Sequence, residues 1–396
     1  MRGLDIAVAG CGPAGLAAAL MLARDGHRVG LFEQFDAPKP LGSGLIVQPT
    51  GLAVLRALGL EQELLAAGAR VDRLFGLAMP SGRTVLSVRY DWLKGQHFGV
   101  GAHRAALFDI LYRAVLAAGL PIETKRIIAG SEAVSGGRRL LFAKGRSARF
   151  DLVVDCLGAG SPLPPPCGRA LAYGALWASL DWPNKAGFDG AALEQRYIRA
   201  STMAGVLPIG LKPGSKARQA AFFWSLREDR YEAWRAIGLD AWKDEVRELW
   251  PATAPLLDQI AAPEQLTFAR YAHRTLSWPA DRALIHIGDA WHSTSPQLGQ
   301  GANMALLDAW ALARALREAE TLPDALEQAA RLRRRHVYLF QLASWLFTPV
   351  YQSDSRLLPL IRDRIVGPLS KLWPATAIQA AMVTGLLGRP LKRLGL

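Results

Sequence analysis

The stretch LDIAVAGCGPAGLAAALMLARDGHRVGLFE, residues 4–33, decides the fold. It opens as a short apolar run ending at Gly10, the pattern of a strand buried on both faces of a parallel sheet. AGLAAALMLARDG follows, a run of strong helix formers closed by Gly26 as a C-terminal cap. HRVGLFE, ending at Glu33, reads as a second strand. Strand, helix and strand make one parallel crossover unit.

At the join of the first strand and the helix stands Gly10-Cys11-Gly12-Pro13-Ala14-Gly15. Gly10 permits a tight turn, Gly12 lets a pyrophosphate approach the backbone, and Gly15 lets helix and strand pack closely. The helix start at Pro13 and Ala14 turns unpaired N–H groups and a positive dipole end toward the phosphates. Glu33 closes the second strand near the spacing of about 20 residues at which a carboxylate accepts from ribose hydroxyls. A glycine pattern alone is weak, and a turn that binds nothing is its plain alternative. The strand before it, the helix after it and the acid beyond favour a dinucleotide, without separating NAD from FAD.

Further out, residues 52–65 read as a helix, 73–88 as a hairpin turning at Pro80-Ser81-Gly82, and 105–118 as an amphipathic helix. Residues 139–142 and 150–155 read as strands, and the proline cluster 162–166 as a boundary. Strand-like runs fill 170–230. A helix is expected over 231–249, a strand over 283–287, a helix over 302–318, and helices with proline breaks beyond Pro323. The expected fold class is α/β. A Rossmann-like dinucleotide-binding domain would draw on residues 1–70, 101–165 and 279–330, with an inserted β-rich substrate domain from 71–100 and 166–278. Residues 331–396 would form a C-terminal helical segment.

The segment that separates NAD from FAD is ALIHIGDAWHSTSPQLGQGANMALLDAWALARAL, residues 283–316. A strand ends at Gly288-Asp289, a loop holds Pro296, Gly299, Gln300 and Gly301, and a helix opens near Ala302. A second helix N-terminus thus stands ready for an anion or a polarised carbonyl, and the glycines let backbone N–H groups approach a flat ring. This segment resembles the second FAD motif of the group A flavoprotein monooxygenases, the para-hydroxybenzoate hydroxylase-like and ubiquinone-biosynthesis hydroxylase-like family. The resemblance implies that Asp289 binds ribitol, and that Pro296, Gly299, Gln300, Gly301, Ala302 and Asn303 frame the flavin. PLGSGLIVQPTGLAVLRALGL, residues 40–60, is similar to the segment that passes one flavin face, and its Val47 is expected in the substrate pocket. GAHRAALFDIL, residues 101–111, resembles the helix whose arginine, Arg104, sits near the FAD. The likeness spans most of residues 4–330. One departure stands at DLVVDCLGAGSPL, where Leu157 occupies the place of a family aspartate linked to both FAD and NAD(P)H, although Gly158 and Ser161 match.

In that family NADH or NADPH reduces the flavin, and a flavin hydroperoxide formed with O2 delivers one oxygen atom. The cofactor carries the hard chemistry and the protein positions the substrate, so neither a nucleophilic triad nor a metal site is expected. The implied function is hydroxylation or epoxidation of a small apolar molecule, aromatic or isoprenoid. His292 is a candidate for a group that deprotonates a phenol, although a histidine there is commonplace in the family; His273 and His286 read as structural. Leu207 and the Phe222-Phe223-Trp224 run lie in strands that face the flavin in this family. Alternate strand residues share a face, so Phe222 and Trp224 are expected together in the pocket, with ordinary sheet core as the alternative. A flavin halogenase would carry a W-x-W-x-I-P stretch, which the sequence lacks. A dinucleotide-fold escort of small GTPases would not need the loop around Pro296. An FAD-dependent dehydrogenase or reductase acting on a carbon–carbon bond is compatible with Leu157 and is the alternative.

Composition sets the outer bounds. The 396 residues are 51% hydrophobic with 47 Lys+Arg against 34 Asp+Glu, a net charge of +13. Cys11, Cys156 and Cys167 match no metal spacing and fit a reducing compartment. The apolar start differs from a signal peptide, being interrupted by Asp5 and patterned by glycines, and no stretch has the roughly 20 apolar residues of a transmembrane helix. A cytoplasmic protein, peripheral to a membrane in one reading, is expected. Residues 331–396 hold eleven basic residues against Asp354 and Asp363, nine of the net +13. The rest of the chain is near balance, which argues against a nucleic-acid face. The tail also carries the apolar runs VYLFQLASWLFTPVY and LWPATAIQAAMVTGLLG. It reads either as an interfacial helix on an anionic membrane or as a helical cap that closes the pocket with its charges solvated.

Overall fold

The structure is a computed structural model describing residue 1 and residues 3–37 and 43–396. Residues 40–42 of the segment read above as passing the flavin lie outside the described residues. A six-stranded sheet runs in the order Ala280–Asp281, Leu284–His286, Leu152–Asp155, Asp5–Ala9, Arg28–Phe32, Ile122–Glu123. The neighbours pair parallel except at the Ala280–Asp281 edge. Ile6, Ala7, Val8 and Ala9 of the central strand are fully buried, because both faces are covered. On one side Ile6 and Val8 share a core with Leu16, Leu107 and Leu306 of helices Pro13–Arg24, Arg104–Ala117 and Gly301–Glu318. On the other, Ala7, Ala9 and Val153 pack on Ile128 and Leu140 of the hairpin Ile128–Val134 and Gly137–Phe142. This is the α/β, Rossmann-like layer expected from residues 4–33.

A second, seven-stranded sheet runs Thr267–Ala269, Tyr173–Asp181, Arg218–Arg227, Thr202–Leu211, Ala192–Ile198, Arg73–Ala78, Arg83–Arg89. Its two faces do different work. Leu176, Phe222 and Trp224 turn toward helices Tyr231–Ile237 and Leu239–Leu249, where Trp234, Trp242 and Val246 complete a core. Trp177, Tyr197, Met203 and Phe223 belong to the opposite face.

One expectation needs correction. Residues 52–65 are two helices, Pro49–Ala57 and Glu61–Ala67. Gly59, at φ +75, closes the first: its N–H bonds to the Arg56 carbonyl and that of Leu60 to the Leu55 carbonyl, the six-to-one bond of a glycine C-cap. Beyond Pro323 the chain is helical, as read, and helix Leu322–Tyr351 runs unbroken through residue 331. Among the described residues no helix is long and apolar enough to cross a membrane.

Candidate active site

The carboxyl ends of the parallel strands and the inner face of the second sheet enclose a cavity of about 910 Å³. Strand ends at a reversal of strand order are where open α/β sheets bind ligands. At one end Gly10, Gly12, Pro13 and Ala14 line the cavity, with Glu33 beside them. Gly10 sits at φ +102, and a Cβ there would lie 2.7 Å from the Cys156 carbonyl oxygen. A Cβ on Gly15 would overlap the Gly10 carbonyl oxygen; Gly15 therefore serves the packing of helix on strand. The Glu33 carboxylate accepts from the backbone N–H groups of Cys11 (3.2 Å), Gln34 (2.8 Å) and Phe35 (3.2 Å). It is fixed as an acceptor at the end of its strand.

Asp289, Pro296, Gly299, Gln300, Gly301 and Ala302 line the cavity, and Arg104 does too. Asp289 is enclosed by protein yet accessible, because its carboxylate faces the cavity. Burial pushes its carboxyl above the ordinary value, while His292 and Arg104 pull it back. Asn303 is buried and acts as a brace. Its amide donates to the carbonyls of Ile46 (3.1 Å) and Gly299 (3.0 Å), and its oxygen accepts from the Gln48 N–H (2.8 Å). Gln48, which the sequence reading missed, lines the cavity. Tyr90 donates to its Oε1 at 2.7 Å, which turns its Nε2 to a site where that buried amide nitrogen has no partner among the described residues. An orphaned donor in the cavity wall, an acceptor carboxylate lining the same cavity and a helix N-terminus at Gly301 fit the polar edge of a flavin and its ribitol chain.

The remaining lining comes from the second sheet and from the C-terminal segment. Leu207 lines the cavity as expected. Phe222 and Trp224 share a face, but it is the far one, where their rings meet Trp242 with centroids 6.2 and 6.4 Å apart. The helices covering that face set the phase of the strand, and it is Phe223 that turns to the cavity, stacked on Trp177 at 4.6 Å. A Cβ on Gly205 would overlap the Phe223 ring, so that glycine admits the stack. Val47 is also corrected: it turns into the main core, while Leu45, Ile46 and Gln48 line the cavity. Phe347, Tyr351, Gln379, Met382 and Val383 close the cavity from the C-terminal helices.

Residues 3–338 match the model of the FAD binding domain family. This chain belongs to that family. It is 26% identical over 361 residues to 3-amino-4-hydroxybenzoate 2-monooxygenase of Streptomyces cremeus, covering 83% of this chain and 82% of that one. It is 25% identical over 391 residues to aurachin C monooxygenase/isomerase of Stigmatella aurantiaca, covering 93% and 95%. Its fold matches HpxO of Klebsiella pneumoniae, solved with FAD and uric acid, at a TM-score of 0.80 and 18% identity over 99% of both chains. The protein is thus an FAD-dependent oxidoreductase of the group A monooxygenase kind.

In this flavoprotein the cofactor loop hangs on a buried charge network. The Asp308 carboxylate accepts from the Gly288 N–H (3.0 Å) and pairs with His292 Nε2 (2.6 Å) and Arg333 Nε (2.7 Å). Arg333 donates to His336 Nδ1 at 2.9 Å, and His336 Nε2 donates to the Gly385 carbonyl at 3.0 Å. Burial raises the Asp308 carboxyl, but His292 and Arg333 outweigh it and hold it at about 2. Burial pushes His336 down to about 3, with Arg333 reinforcing the shift. The chain of contacts ties the Asp289 loop to helix Leu322–Tyr351 and to the end of helix Ala375–Val383. His292 lines the cavity, but its Nε2 is committed to Asp308. Leu157 also lines the cavity. The nearby acid, Asp155, is fully buried, accepts from Ser161 (2.6 Å) and pairs with His286 (2.6 Å), so it offers the cavity no carboxylate.

Proposed function

We propose that the protein uses FAD, NADH or NADPH, and O2 to hydroxylate a neutral, largely apolar aromatic molecule. Bound FAD supplies the redox chemistry, taking up hydride and activating dioxygen. Asp289, Glu33, Gln48, Arg104 and the helix start at Gly301 would hold it; Asn303 and the Asp308 network would act as positioning groups, His292 among them. The observation that carries the substrate class is the lining of the second-sheet side, where Leu74, Trp177, Leu193, Leu207, Phe223 and Tyr271 are uncharged. Arg270 also lines the cavity, but its side chain is 60% exposed and its charge is already paired with Glu228 at 2.7 Å. A carboxylated ring would leave an unpaired buried charge, which costs several kcal/mol. Burial pushes the Tyr271 phenol up to about 12, so it stays protonated. Trp177 Nε1 donates to its oxygen at 2.9 Å, leaving the Tyr271 O–H free to donate to a substrate oxygen.

The test is a panel of neutral phenols and hydroxyquinolines beside their carboxylated analogues, scored by hydroxylated product. Neutral rings are expected to be preferred by at least about tenfold in kcat/KM, the ratio that roughly 1.4 kcal/mol confers; preference for the carboxylates would overturn the proposal. The phase of the Phe222–Trp224 strand makes a second, separable prediction. Phe223→Ala should raise KM for an aromatic substrate about tenfold, as loss of a stacking surface worth roughly 0.5–1.5 kcal/mol beyond its area does. Phe222→Ala should leave KM unchanged and lower stability by about 3–5 kcal/mol, read in a denaturant titration.

A further inference from the structure

The C-terminal helices are apolar on their outer as well as their inner faces. Between residues 338 and 378 lie thirteen of the eighteen exposed large apolar side chains found among the described residues. On helix Leu322–Tyr351 the exposed positions Tyr338, Leu342, Trp345 and Leu346 recur at three- and four-residue steps and make one stripe. The helical run that follows, Leu357–Ile361, Arg362–Val366 and Gly367–Leu369, repeats the pattern. Leu357, Leu360, Ile361, Ile365 and Leu369 face outward, while Arg362 is fully buried. The guanidinium of Arg362 lies 5.2 Å from the Tyr197 ring centre and 5.4 Å from that of Tyr351, and both tyrosines line the cavity. Leu372 and Trp373 extend the patch, Trp373 being 83% exposed. Globular helices put apolar residues inward, and a soluble protein rarely leaves so large an apolar patch bare.

Charge indicates what covers it. Arg334, Arg335, Arg356, Arg364 and Lys371 are exposed around the patch and none forms an ion pair with a described acid. The two acids of the region are spent internally, Asp354 on Arg227 and Asp363 on Arg362. A second copy docked about a two-fold axis would bring the same cations face to face. An anionic bilayer surface matches both features: tryptophan and tyrosine at headgroup depth, leucine and isoleucine below, arginine and lysine on lipid phosphates. We infer that the exposed apolar face of residues 338–378 docks the protein on an anionic phospholipid surface. Ile378 of this face shares helix Ala375–Val383 with Gln379, Met382 and Val383 of the cavity wall, so the docked face lies against the substrate chamber.

The test uses the FAD-loaded full chain and vesicles of phosphatidylcholine, with and without phosphatidylglycerol. Co-sedimentation with the anionic vesicles alone, weakened by salt, is expected. The double variant Leu372→Ser/Trp373→Ser should abolish it, and both positions are exposed enough to leave folding intact. The triple variant Arg356→Gln/Arg364→Gln/Lys371→Gln should lower the partition coefficient about 100-fold, since each basic residue contributes about fivefold at such a surface. Equal, negligible binding of the parent protein to both vesicle types overturns the inference. So does binding that survives both sets of substitutions, or a stable dimer in sedimentation that the Leu372/Trp373 variant dissociates. Vesicle binding is read without turnover, so it fails or stands apart from the proposed reaction.

Discussion

Replacing Arg333 with methionine should lower the unfolding free energy by about 3–5 kcal/mol, the cost of breaking a buried ion pair by removing one partner. Both partners here are about 1% exposed. That is a large share of the roughly 5–15 kcal/mol that holds a domain together. Arg331→Met on the same helix is the control: Arg331 is 72% exposed, and its loss should stay within about 0.5 kcal/mol. The same network gives stability a defined acid dependence. His336 titrates at about 3 when folded, below the ordinary imidazole value of 6.5, so the unfolded chain binds the extra proton between those limits. The contribution of His336 is therefore full above about pH 6.5 and falls below it, by about 2 kcal/mol at pH 5. Asp308 titrates at about 2 against 3.8, so its contribution is present above about pH 4 and is lost as pH falls toward 2. His336→Gln, which retains a side-chain N–H donor, should flatten the upper part of this slope in a denaturant titration. An unchanged slope would show that another group sets it.

Asp289→Ala should weaken FAD binding by about 10- to 100-fold, the range expected when a charged hydrogen-bond acceptor worth roughly 1.5–3 kcal/mol is lost. The Asp289 carboxylate faces the cavity and is not among the described groups that hold the loop in place, a task that falls to Asp308 and Asn303. Far-ultraviolet circular dichroism should thus match the parent while yellow colour is lost on gel filtration. Asp289→Asn, which keeps one acceptor oxygen, should fall between. Full retention of FAD by the alanine variant would remove Asp289 from the cofactor's binding set.

What was legible in the sequence was what neighbouring residues decide together. The unit from Asp5 to Phe32 was readable because apolar runs, glycine spacing and Glu33 all lie within thirty residues and agree. The loop from Asp289 to Asn303 was readable for the same reason. Gln48 was not, because its orientation is set by Tyr90, 42 residues on, and Asn303, 255 residues on. The phase of Phe222, Phe223 and Trp224 was equally hidden. Alternation fixes that Phe223 opposes its neighbours, but only the helices carrying Trp234 and Trp242 decide which face is core. The tail read as either cap or membrane helix. Gln379, Met382 and Val383 do line the cavity, and the outward apolar face on the same segment is the part that composition could not orient.

The most direct measurement is turnover under labelled oxygen gas. Purified yellow protein is reduced anaerobically with NADH or NADPH, then given ¹⁸O2 together with a neutral phenol or hydroxyquinoline, and the product is weighed by mass spectrometry. One labelled oxygen atom per product molecule is the expected result. Product that forms without label, with electrons passing between the flavin and a carbon–carbon bond of the substrate, would contradict it.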